Sequence, residues 1–170
     1  MMDLKSDGTA QSREYASGHA HRRARVFWFW WMGMVFALPG AAQAAVLAAT
    51  GQSPENGLVL AGLGLALSAG GWLVSLGPRF TRKAPVPAED VARAEQYIRI
   101  VPGVAIAIVA VMLAIVVAMM LFAPKGMSPD VLPIMGFLAV FPVPIAAGML
   151  YSRHVHRHRD RMYAKWLGRP

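Results

Sequence analysis

The residue types with the clearest chemical spacing in this chain are its histidines. His154, His156 and His158 alternate near the C-terminus. His154 and His158 stand i, i+4 apart, the separation at which two imidazoles on one helix face can hold a metal ion. His19 and His21 could add ligands from the same side. Against a metal, the chain has no cysteine, the nearest carboxylate is Asp160, and six lysines and arginines crowd the C-terminal tail. That local charge opposes a divalent cation. A solvated basic tail is the better account, and neither metal nor cofactor is expected. Eleven methionines form no cluster with the histidines and read as filler of apolar helices.

A second group is defined by broken backbone. Pro39 with Gly40, and Pro142 with Pro144, fall near the middle of two long apolar runs. Each proline removes an N–H, which frees the carbonyls of Val35, Leu138 and Val140. In lipid such groups need a neighbour, a water or a ligand. If the two runs pack together, these carbonyls and the Gln43 amide form a small midplane pocket, so Pro39, Gln43, Pro142 and Pro144 are candidate ligand-binding residues. The plainer reading is that the prolines bend helices for packing. A third group is the block Phe27-Trp28-Phe29-Trp30-Trp31, placed where tryptophan anchors helices at a lipid headgroup layer. A quinone or pigment stacked on Trp28 or Trp31 is the sharper reading, and an anchor the better one.

These residues are positioned by four apolar runs of about 19–24 residues, at 26–49, 58–76, 100–122 and 131–151, within helices expected at about 26–49, 54–76, 100–122 and 129–151. At about 1.5 Å per residue each can cross a hydrocarbon core of about 30 Å. The fold class is an all-α integral membrane protein with four transmembrane helices. The domains are a disordered basic tail (1–25), the helical domain (26–151) and a basic amphipathic tail (152–170). Sixteen of the seventeen lysines and arginines lie in the two tails and the central linker. The two short outer loops together carry Lys125 alone. This asymmetry places both termini in the cytoplasm and explains the net charge of +8 without nucleic acid. The first run, with its basic lead and Ala42-Gln43-Ala44, also imitates a cleavable signal peptide. Its continuation to Ala49 favours a retained helix.

The outer loops repeat one pattern, Gly51-Gln52-Ser53-Pro54-Glu55 and Gly126-Met127-Ser128-Pro129-Asp130. Ser at the cap, Pro at the first helical position and a carboxylate in the first turn start helices near Pro54 and Pro129. The recurrence hints at a duplicated hairpin, although convergent capping explains it more simply. Residues 78–87 suit an extended path. Residues 88–98 suit an interfacial helix leading into the third run, and 152–170 a second one. Small residues recur every fourth position, at Gly33, Ala37, Ala41, Ala45 and Ala49 in the first helix and at Gly62, Ala66 and Gly70 in the second. Such faces are expected to carry helix packing.

All nine acidic residues and all five histidines lie outside the runs. Pumps, coupled transporters and membrane proteases place an ionisable group in the bundle, and no acid, base or nucleophile set is legible here. The expectation is a non-enzymatic accessory, assembly or scaffolding subunit of a bacterial inner membrane. It would meet other membrane subunits or copies of itself. Its basic inner surface, Arg153, Arg157, Arg159, Arg161, Lys165 and Trp166, would meet anionic lipid headgroups. The alternative is a small transporter or channel protomer working at the proline breaks.

Overall fold

The computed structural model describes residues 4–80, 86–122 and 131–168, excepting the side chains of 4–11 and 77–80. The described residues form six helices: α1 (Leu4–Ala49), α2 (Glu55–Phe80), α3 (Ala88–Phe122), α4 (Val131–Val140), α5 (Pro142–Arg157) and α6 (Arg159–Leu167). No strand occurs among the described residues. Four stretches are long and apolar enough to cross a membrane: Ser12–Ala49, Glu55–Leu76, Ala88–Phe122 and Val131–Arg157. The chain is therefore an all-helical, multi-pass membrane protein. The 46 residues of α1 and the 35 of α3 exceed what about 30 Å of hydrocarbon requires, so their polar ends project past the apolar portions.

Helix α1 is the hub. It packs against α2, α4, α5 and α6, whereas among the described residues α2 touches α1 alone. Helix α3 lies mainly along α5 and α4. A tight turn joins α1 to α2. Gly51, at φ +72°, occupies the left-handed conformation that ends a helix most readily with glycine. The Gln52 N–H donates to Leu47 O (2.9 Å) and the Gly51 N–H to Ala48 O (3.2 Å), satisfying the last carbonyls. Helix α2 then starts at Glu55, with the Leu58 N–H donating to Pro54 O (3.0 Å), as the capping pattern predicts. The second capping motif, 126–130, lies outside the described residues.

The α1–α2 contact is nearly backbone on backbone, and it corrects the predicted ladder. A Cβ added to Gly33 would collide with Gly64 O and the Ser68 backbone, one on Gly57 with Ala44, one on Gly64 with Ala37, and one on Gly71 with Phe29 O. The interlocked residues are thus Gly33, Ala37, Gly40 and Ala44 against Gly57, Ala61, Gly64, Ser68 and Gly71. Their spacing alternates four and three. Ala41 and Ala45 are exposed, and so are Gly62, Ala66 and Gly70; a Cβ on Gly62 or Gly70 would meet nothing. The reason is geometric. With 3.6 residues per turn, a strict four-residue step walks about 40° round the helix each time, while a 4–3 alternation stays on one seam. Ser68 sits on this seam and its hydroxyl donates to Trp30 O (2.7 Å).

Three further expectations change. Residues 12–25, assigned to a disordered tail, are helical, and 16–20 are buried. They extend an existing helix, so no new nucleus is required, and Ala16, Ser17, Gly18 and Ala20 are small enough for close packing. The interfacial segment 88–98 is continuous with the third apolar run as one helix, with Pro102 inside it. Pro39 likewise lies within α1 without ending it. The fourth run does divide, at Phe141, but gently. Phe141 keeps helical angles (φ −50°, ψ −43°), and its N–H still donates to Phe137 O (2.9 Å).

Candidate functional site

The aromatic block supplies the floor of the site. Gly148 on α5 leaves room for two indoles: a Cβ there would stand 2.6 Å from Trp28 Cη2 and 2.9 Å from Trp31 Cδ1. In that space the Trp31 Nε1–H donates to Pro144 O (2.6 Å) and the Trp28 Nε1–H to Ser152 Oγ (2.9 Å). Phe27 stacks on Tyr151 with centroids 4.0 Å apart. Trp28 and Trp31, from a block read as a headgroup anchor, thus turn inward and clamp α1 to α5, Phe29 stays exposed, and the Trp30 carbonyl ties α1 to α2.

Above this floor is a cavity of about 700 Å³ between α1, α3 and α5, with charged side chains set in a largely apolar wall. Helix α1 lines it with His21, Ala24, Arg25 and Trp28, at i, i+3, i+4 and i+7 along a single face. Helix α3 contributes Asp90, Arg93, Ala94 and Tyr97, again at helical spacing, and α5 contributes Ser152 and His156. Its walls are held by two ties between α3 and the C-terminal segments. The Arg153 Nε–H donates to Ile98 O (2.9 Å), and Arg159 pairs with Glu95 at 2.8 Å. The Arg25 guanidinium lies 3.2 Å from His21 Nε2. Arg93 makes only loose, solvent-exposed pairs with Asp90 (3.3 Å) and Glu89 (3.6 Å).

His156 is the unusual group. It is 7% exposed, and its Nδ1 has no hydrogen-bond partner. Its ring lies 6.2 Å from that of His21 and 6.3 Å from that of Tyr97, centroid to centroid. A buried, unpartnered imidazole nitrogen is costly unless something reaches it. The alternating histidines are thereby separated: His154 and His158 lie together on the other face, rings 4.4 Å apart, while His156 turns towards His21. Among the described residues, no cluster of three or more histidines and carboxylates is placed to hold a metal ion.

The other predicted residues fall as follows. Pro39, Pro142 and Pro144 are fully buried, and Gln43 is half-buried. Helices α1 and α4 do meet beside them, since a Cβ on Gly136 would come within 2.9 Å of Val46 Cγ2. However, the prolines are packed among helices and do not line the cavity described above. Of the predicted lipid-facing surface, Arg157, Arg161 and Lys165 are exposed. Arg153 and Arg159 are not such residues, because their heads are turned inward onto Ile98 and Glu95. The Arg159 side chain is 11% exposed. Trp166 is half-covered by His19, at 5.6 Å. Asp90, Arg93 and Tyr97 were legible only as part of the helix expected over 88–98, because nothing local in the sequence shows which helix that segment meets.

The fold and site together define a four-helix multi-pass membrane protein with a basic, aromatic-floored cavity at the end where α1 and α3 begin and α5 and α6 end. No protein-family model, no curated protein and no solved structure matches the chain.

Proposed function

We propose that the protein is a non-catalytic accessory, assembly or scaffolding subunit of a bacterial inner membrane. Both termini are cytoplasmic in this reading, and it acts through helix faces and its basic end. The observation that carries the reading is how polar groups within the apolar stretches are used. The hydroxyl of Ser68 donates to Trp30 O (2.7 Å), joining α2 to α1, and the indole of Trp31 donates to Pro144 O (2.6 Å), joining α1 to α5. These groups hold helices together and are not presented to a substrate path. The transporter alternative has less support, because Pro39, Pro142 and Pro144 are buried in helix packing.

The test compares two sets of variants by the mass of the detergent-solubilised complex and by a cellular phenotype. Gly62→Leu and Gly70→Leu meet nothing inside the chain, so they should leave the 18.4 kDa subunit folded while reducing its association with other subunits. Pro142→Ala with Pro144→Ala should leave both assembly and phenotype near normal. If the proline replacement keeps the complex intact but abolishes the phenotype, the transporter reading replaces this one.

A further inference from the structure

From the cavity at the basic end we infer a binding site for the phosphate-bearing headgroup of an anionic phospholipid. Three independent observations converge on that ligand. The first is depth. Trp28 lies near the start of the apolar portion of α1, Ser152 just after that of α5, and Tyr97 just before that of α3, so the cavity sits at the level of a lipid headgroup layer. The second is chemistry. Arg25 and Arg93 present guanidinium donors suited to phosphate oxygens, and the exposed carboxylate pairs that hold Arg93 are weak enough to exchange. The third is His156, a nine-tenths-buried polar side chain that lines the cavity; its unpartnered Nδ1 is covered as the ring stands, and a turn of the ring would bring that nitrogen to a headgroup phosphate or hydroxyl.

The surroundings fit a lipid better than a free anion. Ala24, Ala94 and the Trp28 and Tyr97 rings make much of the wall apolar, which suits a glycerol backbone and the first acyl carbons. Asp90 on the rim partly offsets the positive charge, so a bare phosphate would be held weakly. Basic pockets between membrane helices are a recognised form of headgroup site. The inference does not depend on the scaffold reading: a site for lipid can exist whether or not the protein has a partner subunit.

The test uses the full chain in mild detergent, scored by native mass spectrometry for bound lipid and by thermal stability. Phosphatidylglycerol, phosphatidylcholine and free glycerol 3-phosphate are the probes. Phosphatidylglycerol should bind and stabilise, and the other two should do so far less. Each arginine near a headgroup contributes on the order of fivefold in affinity. Arg25→Gln should therefore weaken phosphatidylglycerol binding about fivefold, and Arg25→Gln with Arg93→Gln about 25-fold. Both side chains are exposed, so folding should survive. His156→Gln, which keeps a polar group, should weaken binding without abolishing it. Arg157→Gln and Arg161→Gln remove equal charge outside the cavity and should have little effect. Equal losses from these two controls would show a diffuse surface field and overturn the site. Equal binding of phosphatidylcholine would overturn its anion preference, and equal binding of glycerol 3-phosphate would overturn the assignment to lipid.

Discussion

Gly62 and Gly64 are neighbours in sequence, yet a methyl group added to each should change stability in opposite directions. At Gly64 the new Cβ would lie 2.8 Å from Ala37 Cα and closer still to Ala37 N. That is about 0.7 Å inside a carbon contact distance of about 3.5 Å. The obstacle is backbone, so no rotamer change can relieve it; the two helices must separate along a seam where Gly33, Gly57 and Gly71 also touch backbone. Overpacking of this kind costs about 1–3 kcal/mol. Replacing a helical glycine with alanine returns about 1 kcal/mol at most, so Gly64→Ala should be destabilising by about 1–2 kcal/mol. At Gly62 nothing opposes the methyl, and Gly62→Ala should stabilise by about 0.5–1 kcal/mol. Reversible unfolding in mixed micelles, followed by tryptophan fluorescence, measures both. Leucine widens the gap: Gly64→Leu should yield no folded hairpin, and Gly62→Leu a normal one. Loss of stability in Gly62→Ala equal to that in Gly64→Ala would refute the 4–3 seam and restore the four-residue ladder.

Gly148→Ala should displace the Trp28 and Trp31 rings and destabilise by about 1–3 kcal/mol, with a shift in tryptophan emission, whereas Gly103→Ala, which meets nothing, should stabilise by about 0.5–1 kcal/mol as at Gly62. Glu95→Gln removes the partner of a largely buried Arg159 but is itself half-exposed, so a loss of about 1 kcal/mol is expected; it should shrink as salt rises, and unchanged stability at low salt would show that the pair contributes nothing. A reporter active only outside the cytoplasm should work when inserted at Ser53 and stay silent at the C-terminus, and the reverse pattern would overturn the proposed orientation.

The four apolar runs were readable because length and hydropathy alone specify them, and the start of α2 because Ser53, Pro54 and Glu55 encode a helix start locally. What the sequence left open was azimuth, the direction in which each helix face points. Strict four-residue spacing selected Gly33 and Ala37 correctly and then drifted onto Ala41 and Ala45, since about 40° of error accumulates at each step. In α2 the same template landed on Gly62, Ala66 and Gly70, an exposed stripe that meets no other helix among the described residues. A 4–3 template would have found Gly57, Ala61, Gly64, Ser68 and Gly71, and it also passes through Ser68, the hydroxyl that reaches across to Trp30 O.

The cavity was hidden for a different reason. Its residues come from three helices, and each is unremarkable alone: a basic lead before α1, an amphipathic turn before the apolar part of α3, and alternating histidines after α5. Only the meeting of α1 with α3 and α5 makes them one site, and that meeting depends on Gly148 accepting two indoles. The inward turn of Trp28 and Trp31 has a further consequence. With both indole N–H groups engaged on α5, they cannot also anchor α1 to headgroups, and the positively charged ends of α1 and α3 are left to define where the protein sits in the lipid. A lipid held between Arg25, Arg93 and His156 would then neutralise charge that the close approach of these helices concentrates. The basic end would thus be more stable in anionic membranes than in neutral ones.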